Sequence, residues 1–159
     1  MTPAARLALV VVVLGLAVLV GYLWRSRNGR FTAVAPSVLA AAGADPAPDE
    51  AAGGRVTPDE LGAPLGAHGT FLQLSSAVCT PCRRTHAVLA AIAGERHDVS
   101  HVELDVAQHL DLVRRFDVMR TPTVLLLDGS GAVVGRMSGA TDRRSALTAL
   151  AALDAACPG

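Results

Sequence analysis

Cys79-Thr80-Pro81-Cys82 stands between an apolar run, Thr70 to Leu74, and a stretch whose apolar residues Val88, Leu89 and Ile92 recur at helical spacing. That junction constrains the fold more than any other feature, because it demands a strand that ends where a helix begins. The first cysteine then lies at the helix N-terminus, where unpaired backbone N–H groups and the helix dipole favour a thiolate over a thiol. Cys79 is therefore read as the attacking sulfur. Cys82, one turn on and more buried, is read as the sulfur that closes the ring and releases a mixed disulfide. The same spacing furnishes half of many zinc sites, so the pair alone leaves both chemistries open.

Arg120-Thr121-Pro122-Thr123 precedes the apolar run Val124 to Leu127. A proline ahead of a buried strand fits at its first position, and a cis X-Pro bond there leaves the preceding backbone free to pair with an incoming extended chain. The cysteine pair, the strand ending His101-Val102-Glu103-Leu104-Asp105, the pair Thr121-Pro122, the hairpin around Gly129-Ser130-Gly131 and Ser138-Gly139-Ala140 before a last helix occur in that order. Over residues 56–153 the chain thereby resembles the thioredoxin superfamily. The resemblance implies an α/β thioredoxin-like fold, a mixed central sheet flanked by helices. It also implies a cis Pro122 facing the redox pair Cys79 and Cys82, with Thr121 beside the thiols.

Several positions depart from the usual thioredoxin pattern. Val78 stands where an aromatic residue precedes the first cysteine, and Thr80 replaces the glycine inside the motif. Gln73 aligns with the buried acid that assists the second cysteine, and an amide cannot accept a proton as a carboxylate does. Proton relay to Cys82 must then use water, His101 or another group. Thr121 replaces the isoleucine that commonly precedes the cis proline, and its hydroxyl offers a donor to a thiolate.

The N-terminal third has a different character. Leu7 to Trp24 carries no charged residue, and a helix of that length covers about 27 Å of hydrocarbon. It reads as a membrane anchor, with Tyr22 and Trp24 at one end and Arg25, Arg27 and Arg30 following. A cleavable signal peptide is the rival reading, but the small residues Ala33-Val34-Ala35 are followed by Pro36, a poor place for cleavage. The arginines place the following domain on the cytoplasmic side by the positive-inside rule. Many tethered bacterial relatives work instead on the outer face. Residues 1–30 are thus the anchor with its basic flank. Residues 31–54, rich in alanine, proline and glycine, read as a flexible tether reaching about 25 to 30 Å. Residues 55–159 form the thioredoxin-like domain.

Within that domain Thr57-Pro58-Asp59-Glu60 predicts a capped helix start. A strand is expected at 70–75, the cysteine helix at 79–95, a strand at 100–105 and a helix at 110–116. Paired strands follow at 123–127 and 132–137, and a helix capped by Asp142 runs to 155.

All fourteen basic residues are arginine and alanine is abundant, which looks like a high-GC genome bias, and lysine chemistry is excluded. Formal net charge is +0, and no basic stripe points to nucleic acid. Three cysteines do not make a disulfide framework. Cys157, near the C-terminus, is read as an unpaired tail thiol, with a resolving or cross-linking role as the alternative. Arg83 and Arg84 either lower the Cys79 pKa or solvate the first helical turn. Arg114, Arg115 and Arg120, with Asp111 and Asp117, read as a solvated face. His68, His97 and His109 read as ordinary surface residues.

Together these features describe a single-pass, membrane-tethered thiol:disulfide oxidoreductase. It acts on protein or small-molecule disulfides, draws electrons from an unidentified donor, and needs no cofactor. The alternative is a copper-binding chaperone of the same fold, in which Cys79, Cys82 and His86 supply the ligands.

Overall fold

The computed structural model describes residues 3–27, 31–33 and 54–156. Most of the expected tether (34–53), the basic flank at 28–30 and Cys157 lie outside the described residues. Helix α1 spans Pro3–Arg27. Its described side chains from Leu9 to Leu23 are exposed. Over the described residues no helix is long and apolar enough to cross a membrane.

The elements that follow are strand β1 (Phe31–Ala33), helix α2 (Pro58–Leu61), strand β2 (Gly69–Ser75), helix α3 (Thr80–Glu95) and strand β3 (Val99–Asp105). Helix α4 (Leu110–Arg115), strands β4 (Thr123–Asp128) and β5 (Val133–Ser138), and helix α5 (Arg143–Ala156) complete the order. The five-stranded sheet runs β1-β5-β4-β2-β3, with β2 and β3 parallel and the other pairs antiparallel. Element types match those expected from the sequence, with ends differing by a residue or so. One assignment is corrected: Phe31–Ala33, placed by composition in the tether, pairs with Gly135–Met137 as the edge strand. Phe31-Thr32 is the only aromatic and β-branched step at the start of that alanine-rich segment, a local strand preference that bulk composition hides.

Strand alternation divides the core between the two faces of the sheet. Phe71, Val124, Leu126 and Met137 meet Leu89 and Ile92 of α3 and Ala149 and Leu150 of α5 on one face. Leu72, Leu74, Leu104, Leu125 and Leu127 meet Leu61 of α2 and Leu112 of α4 on the other. By the same alternation Gln73 shares the α3 face with Phe71, and in the parallel register Phe71 pairs with His101, Gln73 with Glu103 and Ser75 with Asp105. A row of polar side chains is thus carried along β2 and β3 toward the sheet end where α3 begins.

Local chemistry sets the ends of these elements. Thr57 and Glu60 form a reciprocal capping box, Thr57 N–H donating to Glu60 Oε2 at 2.8 Å, and Gly62 at φ 62° ends α2. Glu60 also accepts from Arg115 at 2.7 Å, and the Arg115 guanidinium lies over the Phe116 ring at 4.8 Å. Arg115 therefore ties α2 to α4, which corrects its assignment to a solvated face. A short polar residue pattern could not reveal this, because the partner lies far away in sequence. The β4–β5 turn is held by Asp128 Oδ1, which accepts from Ser130 N–H and Ala132 N–H, with Gly131 at φ 85°. A Cβ at Gly131 would stand 2.2 Å from the Val56 carbonyl oxygen, so the position admits only glycine.

Candidate active site

Cys79 and Cys82 are joined in a disulfide, with Cα atoms 5.2 Å apart. Cys79 is the N-cap of α3, and its Sγ accepts the Cys82 backbone N–H at 3.1 Å. The sequence expectation placed Cys79 at the helix start, and it is the N-cap of that helix. Negative charge on that sulfur faces a backbone donor and the positive end of a helix of four turns. Cys79 is partly exposed, whereas Cys82 is 2% exposed. Pro81 occupies the first turn, where its missing N–H costs nothing.

The Thr121–Pro122 peptide is cis. Pro122 is buried, and its carbonyl accepts the Gly139 N–H at 2.8 Å. Thr123, the next residue, pairs with Leu74 on β2 and with Ser138 on β5. The start of β4 is thereby fixed beside the end of β2, from which the chain turns through Ser76 into the cysteines. Ser76 joins two depressions at this end of the sheet. One, of about 300 Å³, is lined by Ser76, Cys79, Cys82, Arg83, Glu103 and Asp105 among others. The other is a mainly apolar groove that includes Val106, Leu110, Met119 and Thr121. Val78, at 91% exposure, and Met119, at 83%, stand out beside them. Of the residues expected from the sequence, Cys79, Cys82, Thr121 and Pro122 are all brought to this one end.

Behind Cys82 lies a polar network built on Gln73. Gln73 is fully buried, and its amide nitrogen donates toward Ser75 Oγ at 2.7 Å, the Cys82 carbonyl at 3.1 Å and Glu103 Oε1 at 2.9 Å. Its amide oxygen lies 3.2 Å from His101 Nε2, so His101 is the donor in that pair. Three acceptors around the nitrogen and one donor at the oxygen fix the orientation of the amide. Burial, reinforced by the neighbouring His86 and opposed by Glu103, lowers the His101 pKa to about 4, so the ring is neutral at physiological pH.

His86, a candidate copper ligand from its spacing to the cysteines, is turned elsewhere. Its Nδ1 meets Glu103 Oε2 at 2.6 Å, and its ring packs edge-on against His101 with centroids 5.0 Å apart. Among the described residues, no group of three or more His, Cys, Asp or Glu side chains is arranged to hold a metal ion. Arg83 lines the cysteine cavity and donates to Thr80 Oγ1 at 3.2 Å. The residue that sequence reading missed is Glu103. Only the parallel register of β2 with β3, which sets it directly opposite Gln73, brings it to the site.

Comparison with known proteins agrees with this geometry. The sequence pattern of the thioredoxin family matches residues 67–152. Thioredoxin H5 of Oryza sativa subsp. japonica is 34% identical over 62 residues, which cover 38% of this chain and 46% of that relative. The chain thus spans about half the length of the curated relative it matches. Among solved structures, the long and short forms of thioredoxin f from spinach chloroplast are each 27% identical and superpose with a TM-score of 0.50. They cover 55% of this chain and 72% and 78% of their own chains. With the family pattern matched over residues 67–152, more than half of the sequence, the chain belongs to the thioredoxin family.

Proposed function

We propose that this protein is a membrane-tethered thiol–disulfide oxidoreductase that reduces protein disulfides through Cys79 and Cys82. The observation that carries the reading is the Cys79–Cys82 disulfide at the N-terminus of α3, with one sulfur accessible and the other enclosed. In the reduced protein, the Cys79 thiolate attacks a substrate disulfide and expels one substrate thiolate. The Cys82 thiolate then attacks Cys79 Sγ and expels the second, so two electrons pass from the cysteine pair to the substrate. The backbone before Pro122, with Thr121 at the rim of the apolar groove, is suited to receive an extended substrate segment. A reducing partner, a soluble reductase or a membrane thiol carrier, restores the dithiol, and no cofactor takes part.

Anchorage to the bilayer is part of the same proposal. What supports it is the uncharged stretch Leu7 to Trp24 within the single helix α1, flanked by Tyr22, Trp24 and arginines. Arg25, Arg27 and Arg30 favour a cytoplasmic position for the domain.

The first test is the reduction potential of the Cys79/Cys82 couple in the full chain, equilibrated against glutathione and dithiothreitol buffers. A value near about −270 mV supports the reductive reading, and one near about −120 mV makes the protein an oxidant of substrate thiols. Failure to form the disulfide at any poise overturns the redox reading. Extraction of membranes at alkaline pH tests the anchor, since release of the full chain into the soluble fraction overturns tethering.

A further inference from the structure

We infer that Glu103 is the proton acceptor for Cys82, since the buried side chain behind that cysteine is the amide of Gln73. The inference rests on the redox reading above. Resolution of a mixed disulfide requires Cys82 to lose its proton, and a cysteine that is 2% exposed has little direct access to bulk water. Gln73, directly behind it, offers an amide that cannot take the proton. Glu103 does not reach the cysteines along the chain but across the sheet. It lines the same cavity as Cys79 and Cys82, and that cavity, about 300 Å³ with Ser75, Ser76, Arg83 and Asp105 also in its wall, has room for the water that would carry the proton.

Groups from three elements surround this carboxylate. From β2, Gln73 holds Oε1 by donation at 2.9 Å, and the same amide nitrogen reaches the Cys82 carbonyl, so the acid is positioned relative to Cys82 by one side chain. From α3, His86 meets Oε2 at 2.6 Å, and Arg83 lines the cavity. From β3 itself, His101 and Asp105 flank Glu103 on the same face. Asp105 is the rival acid, because it also lines the cavity, and its Oδ1 accepts the Ala107 N–H at 2.9 Å, whereas Glu103 is held by the amide that reaches the Cys82 carbonyl. Glu103 is the carboxylate joined to Cys82 by a continuous set of hydrogen bonds.

The step balances simply. The Cys82 S–H proton passes through water to the Glu103 carboxylate. The resulting thiolate attacks Cys79 Sγ, the bond between Cys79 and the substrate sulfur breaks, and the departing substrate thiolate takes up a proton. Glu103 returns its own proton to solvent through its exposed edge.

A single-turnover reaction of the reduced full chain with 5,5′-dithiobis(2-nitrobenzoate), with Cys157→Ser as the background in every variant and in the reference, separates the two steps. Attack by Cys79 releases one coloured thiolate, and resolution by Cys82 releases the second. Stopped-flow traces from pH 5 to pH 9 are compared for the reference, Glu103→Gln, Glu103→Asp and Asp105→Asn. The expected result is an unchanged first phase in Glu103→Gln and a second phase slowed about 100-fold at pH 6, the low end of what a positioned acid or base contributes. The deficit closes toward pH 9, where Cys82 ionises unaided, and Glu103→Asp recovers part of the rate. Superimposable second phases in Glu103→Gln and the reference overturn the inference. So does equal slowing of both phases with no recovery in Glu103→Asp, or a pH-dependent defect in Asp105→Asn alone. Absence of a second release from the reference is a different failure, because it removes the redox reading itself.

Discussion

Gln73 and Glu103 face each other across the parallel β2–β3 ladder, the buried amide of one donating to the carboxylate of the other at 2.9 Å. The pair separates two tasks that a single buried acid combines. Gln73 satisfies the Cys82 carbonyl from within the core, and Glu103 stands at the partly solvated edge of the cysteine cavity. A neutral side chain in the fully buried position avoids the cost of enclosing a carboxylate there.

Restoring an acid at that position should therefore harm the fold. Gln73→Glu removes the two N–H groups shared among Ser75 Oγ, the Cys82 carbonyl and Glu103, and sets a second carboxyl group against Glu103. Burial and the neighbouring carboxylate both raise the pKa of the new acid. The folded state then binds its proton more tightly than the unfolded state, so the variant's deficit grows as pH rises above about 4.3. Urea unfolding at pH 8 should show a loss of about 3 kcal/mol relative to the wild type, and a smaller loss at pH 5. A deficit that is equal at both pH values would mean the new acid is not buried beside Glu103.

His101 makes stability depend on pH in the opposite sense. Its folded-state pKa is lowered to about 4, chiefly by burial, from the ordinary 6.5. Below 6.5 the unfolded chain takes up a proton that the folded chain refuses, so stability is complete above that pH and is lost as pH falls toward 4. The contribution is about 1 to 3 kcal/mol across that window, reduced from its full value because part of the ring meets solvent. His101→Gln should flatten the pH dependence of the unfolding midpoint between pH 6.5 and pH 4. An unchanged slope would assign the acid sensitivity to other groups.

Much of this architecture was legible in the sequence because its signals are local. Strand and helix periods, the Thr57-Pro58 cap, the Asp128 to Gly131 turn and the cysteine pair each lie within a few residues. The Glu103 network was not legible, since its members come from β2, α3 and β3 and meet only through the sheet register. His86 shows the same limit: spacing along α3 relates it to Cys82, while the fold turns it onto Glu103. Arg115 likewise found a partner in Glu60, far away along the chain. The strand at Phe31–Ala33 was hidden because its pairing with β5 is long-range and its flanks are tether-like.

Thr85 provides a test of how α3 is tied to the segment after the cis proline. Its buried hydroxyl accepts the Thr141 N–H at 3.1 Å, and Thr141 lies just past Gly139, whose N–H is held by the Pro122 carbonyl. Thr85→Val keeps the shape and leaves a buried N–H without its acceptor. The expected cost is about 1 to 3 kcal/mol, read as a lowered midpoint in thermal or urea unfolding. A loss within about 0.5 kcal/mol would mean that the Thr141 N–H finds another acceptor.

The two reduced cysteines should differ sharply toward a soluble electrophile. Cys79 caps α3, is accessible, and has the Cys82 N–H pointed at its sulfur, whereas Cys82 is 2% exposed. A thiolate stabilised by a helix N-terminus reacts at pH values where an enclosed thiol does not. With Cys157→Ser removing the remaining thiol, brief treatment of the reduced chain with iodoacetamide at pH 7 should label Cys79 over Cys82 by at least about tenfold, resolved by peptide mass spectrometry. Cys79→Ser should then leave the protein nearly unlabelled in its folded state and fully labelled at Cys82 in urea. Equal labelling of the two cysteines in the folded protein would remove the asymmetry on which the assignment of attacking and resolving sulfurs depends.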